Sequence, residues 1–583
     1  ERGIGPETLV GICLDRSARL VTTFLAVFKA GAGYVYLDPK YPAERLQQMI
    51  EDTRPPVLIT QASLDAMLGE ALASDRDAAA TPRWTLDRDA DLAVADTTRP
   101  PRRVDGDNLA LVVYTSGSTG RPKGSGVTYR NVARTVLELE ERYFDLREDD
   151  VFMQGATPSF DVAIWEIWAP LTHGAALVGA ERDELLNLAT LDAKLRREGV
   201  TVADFMTALL HQIAEERPSM FADLRAITFG GERCDPRWVR VVRASTDARL
   251  VHCYGPTECT TTATAFDVDE VAEGAASVPI GPPTTNTEIL VLDRHGKPCP
   301  VGVPGELCLG GSGLVRGYLL RSRSTAEKFV PHPTGDGHDG PGARIYRTGD
   351  LVRLLPSGAL DFLGRIDRQV KIRGFRIEPG EVEATLAAHP AVGRAVVVVR
   401  EAENDRHLIA YATPEEGGER PSVETLLQHL RDDLPAFMQP AAVMVLDALP
   451  FTAHGKVDQR ALPAPELRRA EARREAETAL ERFLGDLWAS VLKLDAVPAL
   501  DDDFFDLGGH SLLAAKVFSR LNEAVVVEVP LRLLFDHPHL GSFAKALEDH
   551  LGGSDAGRQA LELIELMDSM SDDDADTLMG SDD

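Results

Sequence analysis

The hydrophobic periodicity of this chain changes character along its length, and no single core satisfies both patterns. Over residues 1–365, short β-branched runs alternate with helical patterns: TLVGICL (8–14), NLALVVY (108–114), AALVGA (175–180), RAITFGG (225–231) and EILVLD (288–293). Strands alternating with helices predict layered α/β structure. A smaller mixed unit follows, in which VEATLAAH (382–389) reads as a helix and GRAVVVVR (393–400) as a strand. From about 478 to 551 the pattern is wholly helical, through ETALERFLGDLWASVL, HSLLAAKVFSRLNEA and GSFAKALEDHL, which predicts a small bundle. Between these regions LPAPELRRAEARREAE (462–477) opens with prolines and turns into a charged helical or flexible linker. The tail, 552–583, holds one short amphipathic stretch, LELIELMDSM, and then the acidic SDDDADTLMGSDD.

With 583 residues the chain exceeds one core, so several domains are expected. A hydrophobic fraction of 44% and a charged fraction of 26% are those of globular protein. The formal charge of −30 argues against a general nucleic-acid binder. The apolar segment from Leu20 to Ala32 is interrupted by Lys29 and has no basic start or cleavage site before it. No membrane association and a cytoplasmic location are therefore expected. The six cysteines (Cys13, Cys234, Cys253, Cys259, Cys299 and Cys308) are scattered without a CxxC pair, so reduced thiols are expected. The chain starts at Glu1 and opens mid-pattern, as an excised fragment lacking upstream sequence would.

Two motifs carry chemistry. TSGSTGRPKG (115–124) follows the strand-like ALVVY and offers backbone N–H groups, four hydroxyls (Thr115, Ser116, Ser118, Thr119) and the cation of Lys123. Gly117 and Gly120 let the backbone approach an anion closely, so the loop reads as a phosphate cradle, though without Walker A spacing. Far downstream, FFDLGGHSLLAAKV (504–517) places Ser511 at the start of a helix after two glycines. A helix N-terminus suits an incoming phosphodiester. Between them, YGPTE puts Glu258 at the end of a strand and turn; beside a triphosphate its carboxylate is a natural Mg²⁺ ligand, since that ion prefers hard oxygen donors. A lone glutamate there is more often a solvated turn acid, and Asp350 in YRTGD alone would read as a turn cap.

The ordered set of motifs resembles an adenylation domain of a non-ribosomal peptide synthetase, from the acyl-adenylate-forming superfamily, followed by a peptidyl carrier (thiolation) domain. Beyond the loop, the resemblance rests on FKAGAGYVYLDPKYPAERL (28–46), FDVAIWEIW (160–168), YGPTECTT (254–261), GELCLGGSGLVRGYLLR (305–321), YRTGD (346–350), GRIDRQVKIRGFRIEPGEVE (364–383), LPAFMQP (434–440) and HGKVDQRAL (454–462). It covers nearly the whole chain. It implies a large α/β adenylate-forming subdomain over 1–366, truncated at its N-terminus. A small α+β C-terminal subdomain would occupy 367–463, a linker 464–477, an all-α four-helix carrier bundle 478–551 and an acidic tail 552–583.

The resemblance also implies roles. Tyr254 would stack on adenine, Thr257 bond the α-phosphate, and Asp350 with Arg365 hold the ribose. Lys456 would be the catalytic lysine, neutralising charge between the substrate carboxylate and the α-phosphate. Asp367 would be the hinge that withdraws Lys456, and Ser511 would carry 4′-phosphopantetheine. Motif alignment gives a substrate pocket of Asp161, Val162, Trp165, Asp204, Thr228, Gly230, Cys253, Thr261 and Thr262, closed by Lys456. Asp161 would grip the substrate ammonium, because a buried charge needs a partner. This favours an α-amino acid over the acids used by acyl- or aryl-CoA ligases. As a second pocket carboxylate, Asp204 asks for a polar or nitrogen-bearing side chain. Departures from the family pattern are His454-Gly455 in place of Asn-Gly, Thr207 where the family usually has proline near Asp204, and Ser125-Gly126 and Tyr129 where it has a valine and then a histidine.

The expected function is activation of an amino acid with ATP and Mg²⁺, then thioester loading on the chain's own carrier, in antibiotic or other secondary-metabolite biosynthesis. A phosphopantetheinyl transferase and a downstream condensation domain or other tailoring enzyme are the expected partners; many members of the resembled family also need an MbtH-like protein, and the sequence does not decide that need here. The alternatives are a CoA ligase-like enzyme and a catalytically silent docking scaffold.

Overall fold

Buried apolar runs form the strands. In Leu9–Cys13 every residue is buried, as in a strand covered on both faces. The computed structural model describes residues 3–73, 80–88, 104–117, 120–271, 274–275, 277–337, 340–372, 374–402, 405–415, 417–451, 457–464, 474–494, 496–505, 507, 509, 511–525, 529–530, 532–553, 557–562 and 564. The chain divides into two compact units, one comprising 1–180, 195–439 and 444–449, the other 181–194, 440–443 and 450–583.

The first unit holds two six-stranded sheets. One runs, in spatial order, Arg83–Thr85, Leu58–Thr60, Leu9–Cys13, Gly33–Tyr36, Leu109–Thr115 and Lys123–Thr128, parallel except for the last strand. The other runs Thr264–Asp267, Arg249–Tyr254, Ala226–Gly230, Val202–Met206, Val151–Gln154 and Ala176–Gly179, with only the first strand antiparallel. The helix Ala18–Ala30 starts at Ser17, whose side chain accepts from Leu20 N–H, and stops at Gly31 in the left-handed region. The helix Val162–His173 is buried from Ala163 to Pro170. Phe24, Trp165, Trp168, Phe152 and Val251 belong to one continuous core that joins both sheets.

An antiparallel sheet of Thr287–Leu292, Gly305–Gly311, Arg344–Leu354, Phe329–Pro331 and Leu360–Arg365 follows. A short hairpin, Val370–Ile372 with Phe375–Ile377, leads into the helix Pro379–Ala388. The long antiparallel pair Val392–Ala402 and Asp405–Pro414, with the helix Val423–Asp433, completes the small α+β subdomain.

The second unit contains the four helices Ala479–Leu492, Ser511–Val525, Arg532–Asp536 and Leu540–Gly552. The first opens with a capping box between Thr478 and Glu481. Its Trp488 is fully buried and packs on Phe504 and Phe543, at ring separations of 5.0 and 6.0 Å. The architecture is thus a large α/β subdomain, a small α+β subdomain and an all-α bundle. Among the described residues no helix is long and apolar enough to cross a membrane.

Candidate active site

A cavity of about 870 Å³, its open mouth included, lies where the second parallel sheet ends against the 370–377 hairpin. Ligands of open α/β sheets bind outside the carboxyl ends of the strands, and three strands end here: Val202–Met206, Ala226–Gly230 and Arg249–Tyr254. All nine pocket positions named from the motifs line it: Asp161, Val162, Trp165, Asp204, Thr228, Gly230, Cys253, Thr261 and Thr262. So do Tyr254, Thr257, Asp350 and Arg365, which the same motifs assign to the nucleotide.

Register explains the grouping. Thr228 sits beside Asp204 in the parallel pairing, and Gly230 beside Cys253. The Thr228 hydroxyl donates to the Asp204 carboxylate at 2.5 Å. Asp161 precedes the helix Val162–His173 but makes no capping bond; its carboxylate accepts from the Thr257 hydroxyl at 2.6 Å. Burial pushes the Asp161 carboxyl up, with Thr257 and Lys371 opposing. Burial likewise lifts Asp204 to about 6, with Thr228 opposing and Asp161 adding to the rise.

At the nucleotide end the Tyr254 hydroxyl donates to Asp350, and Arg365 donates to the same carboxylate at 2.5 Å and to Asp367 at 2.7 Å. Glu258 is 1% exposed. It accepts from the Tyr318 hydroxyl at 2.5 Å and from Arg376 at 2.6 Å. Burial would raise its carboxyl, but Arg376 and Tyr318 outweigh burial and hold it below the usual range. The Lys123 ammonium lies 5.7 Å from the centre of the Tyr318 ring. Among the described residues no group of three His, Cys, Asp or Glu could hold a metal by itself. The motifs assign Glu258 to Mg²⁺, an ion that is commonly bound through one or two carboxylates together with substrate phosphates.

The sequence reading missed the second wall of this site. Gln369, Lys371, Gly374 and Arg376, all from or beside the hairpin, line the cavity. The Lys371 ammonium lies 5.5 Å from the centre of the Tyr254 ring. Gly374 has φ +78°, and a Cβ there would lie 1.5 Å from the Met206 methyl, so both conformation and space demand glycine. The next helix reaches the phosphate loop. Glu381 accepts from the Gly117 N–H and from Arg45, each at 2.6 Å, and the Ser116 hydroxyl donates to the Arg376 carbonyl at 2.8 Å. The motif string GRIDRQVKIRGFRIEPGEVE contained these residues, but nothing in it says that Glu381 meets a residue 336 positions away.

Other candidates fall elsewhere. Tyr129 donates to the Ala32 carbonyl at 2.7 Å and packs on Phe28, away from the cavity lining. Ser118, Thr119 and Lys456 lie outside the described residues, as does the side chain of Ser511, whose backbone opens the bundle's second helix.

Comparison with known proteins fits this arrangement. The AMP-binding enzyme family matches residues 1–319, the AMP-binding enzyme C-terminal domain 381–456, and the phosphopantetheine attachment site 482–547. Tyrocidine synthase 3 of Brevibacillus parabrevis is 39% identical over 93% of this chain. Bacitracin synthase 1 of Bacillus licheniformis is 40% identical over 92% of it. The chain spans 8% and 10% of the length of these two relatives. Among solved structures, holo-PA1221, an NRPS protein containing adenylation and PCP domains bound to vinylsulfonamide inhibitor, superposes with a TM-score of 0.75. That pair is 27% identical, covering 93% of this chain and 88% of the other. Holo-AB3403, a four domain nonribosomal peptide synthetase bound to AMP and glycine, gives a TM-score of 0.54 at 32% identity, over 94% of this chain and 39% of the other. This chain belongs to the AMP-binding enzymes, as an adenylation domain of the non-ribosomal peptide synthetase kind joined to a phosphopantetheine-type carrier domain.

Proposed function

We propose that the chain activates an α-amino acid as its aminoacyl-adenylate and then loads it as a thioester on its own carrier domain. The observation that carries this reading is the single cavity in which a buried acid, Asp161, shares walls with the Tyr254–Asp350–Arg365 cluster. An amino acid and a nucleotide would meet there with the carboxylate beside the α-phosphate. Asp161 would pair with the α-ammonium, since a buried carboxylate without a cation is costly. That orients the substrate so that a carboxylate oxygen attacks the α-phosphorus in line. The bond from that phosphorus to the bridging oxygen breaks, and pyrophosphate leaves. Lys456 would stabilise the charge that develops. Glu258 would hold Mg²⁺, which would supply further charge neutralisation there.

The arrangement of the small subdomain fits the stage after pyrophosphate has gone. Gly117 N–H and the Ser116 hydroxyl, assigned to the triphosphate, are engaged by Glu381 and the Arg376 carbonyl. Glu258, assigned to the metal, is paired with Arg376. A magnesium triphosphate needs all three groups, so hairpin docking and ATP exclude one another. Ser511 would carry the phosphopantetheine arm, which would supply the thiol nucleophile for thioester formation, with AMP as the leaving group. Tethering would raise the arm's effective concentration to roughly mM. A phosphopantetheinyl transferase must modify Ser511 first, and a condensation or tailoring enzyme would take the product. Cytoplasmic location and assistance from an MbtH-like protein belong to the same reading.

The test is ATP–pyrophosphate exchange over an amino-acid panel, with intact mass measured on pantetheinylated protein. Exchange with one amino acid and a matching aminoacyl mass are expected. Ser511→Ala should keep exchange and lose the mass. Material that neither exchanges pyrophosphate nor gains mass with any amino acid refutes the proposal.

A further inference from the structure

The cavity is unevenly charged. Its cations, Lys371, Arg365 and Arg376, all stand toward the nucleotide end. Arg365 is bound to Asp350 and Asp367, and Arg376 to Glu258. Lys371 lies over Tyr254, and its field acts on Asp350 and Asp161. The amino-acid end has acids instead. Asp161 receives the Thr257 hydroxyl and the field of Lys371. Glu166, 1% exposed behind the pocket, accepts from the N–H groups of Gly155 and Ala156 and feels Arg16. Asp204 is the exception. It faces the cavity with one hydroxyl, that of Thr228, and the charged neighbours it shares a field with are Asp161 and Glu166, both acids.

An amino-acid zwitterion does not repair this. Its ammonium takes Asp161 and its carboxylate faces the nucleotide end, which leaves Asp204 beside the side chain. The remaining lining there is Trp165, Thr228, Cys253, Thr261 and Thr262, with no base among them. An apolar side chain would seal a carboxylate into a dry pocket with the Thr228 hydroxyl but no cation beside it, a cost of several kcal/mol when the group is charged. A side chain ending in a cation converts the same burial into an ion pair.

Taking the adenylation reading as its basis, we propose that the substrate is a basic α-amino acid whose side-chain ammonium or guanidinium pairs with Asp204 while its α-ammonium pairs with Asp161. The specificity then comes from a site built for a cation, which rejects a neutral isostere far more strongly than an apolar pocket rejects a missing methylene.

Pyrophosphate exchange with isosteric pairs tests this on the full chain: lysine against norleucine, arginine against citrulline, and ornithine and 2,4-diaminobutyrate against glutamine. We expect one basic amino acid to exceed its neutral isostere by roughly 10²-fold or more in kcat/KM. Asp204→Asn should shrink that ratio to about 10-fold or less, and Asp204→Glu, which keeps the charge, should restore part of it. A neutral amino acid as best substrate, or an Asp204→Asn enzyme that keeps the full preference, overturns the inference and leaves the activation reading standing. Absence of exchange with every amino acid overturns both.

Discussion

Replacing Glu381 by glutamine should separate the two half-reactions. In the docked arrangement the Glu381 side chain is 2% exposed and its partner Arg45 is 5% exposed, with 2.6 Å between them. Breaking a buried pair by removing one charge costs about 3–5 kcal/mol, because the other charge stays behind without compensation. Burial raises the Glu381 carboxyl even against Arg45 and the Gly117 N–H, so the lower end, about 3 kcal/mol, is the fitting value. If the small subdomain leaves this position while ATP is bound, the loss falls on the docked arrangement alone. Thioester formation from preformed aminoacyl-adenylate should then slow by roughly 10²-fold in a single turnover, whereas ATP–pyrophosphate exchange should persist at a comparable rate. The assay is rapid-quench loading of pantetheinylated protein beside exchange on the same preparation, with a thermal melt as control. Arg45→Met should behave alike, and the double variant should fall well short of the sum of the two. Exchange and loading that decline together, or loading that is unaffected, would refute the assignment of this arrangement to the second half-reaction.

Gly374→Ala should act in the same direction as Glu381→Gln, because its Cβ would overlap the Met206 methyl at 1.5 Å; loading would drop and Met206→Ala would partly restore it, as single-turnover kinetics can show. Lys456→Ala should do the opposite, lowering exchange by about 10²-fold or more while loading from supplied aminoacyl-adenylate survives; equal losses in both would contradict its role. The Asp204 carboxyl, raised from 3.8 to about 6, is mostly neutral below pH 6 and charged above it. Binding of a cationic side chain should therefore strengthen as pH rises through about 6, giving a kcat/KM inflection there that Asp204→Asn abolishes. The groups around it, Asp161, Glu166, Cys253 and Thr228, supply no competing cation. In the carrier bundle Trp488→Ala empties the space between Phe504 and Phe543 and should destabilise the bundle by about 3–5 kcal/mol, read by urea titration of tryptophan-independent far-UV signal.

The order of elements was legible because many strands here are short and rich in β-branched or apolar residues, some of them buried throughout, as Leu9–Cys13 is, while the last region repeats at helical spacing only. The acids of the pocket were named through the resemblance, by motif alignment, and strand register sets Thr228 beside Asp204 and Cys253 beside Gly230. What escaped was everything contributed by docking. Arg45, Gly117 and Glu381 come from three remote segments; Arg45 and Glu381 read as ordinary surface residues in their own neighbourhoods, and Gly117 reads as part of a phosphate cradle rather than as a partner of Glu381. Hydrogen bonding across 264 or 336 residues leaves no local pattern, and a cation such as Lys371 gains meaning only when a hairpin carries it over Tyr254.

A backbone amide that serves first a departing anion and then a protein carboxylate acts as a ratchet. On the proposed reading Glu381 and the leaving pyrophosphate compete for the one Gly117 N–H, so docking of the small subdomain opposes return of the leaving group while exchange stays open before docking. Free pyrophosphate added in excess would then slow loading by competing with Glu381 for that N–H as well as by reversing activation.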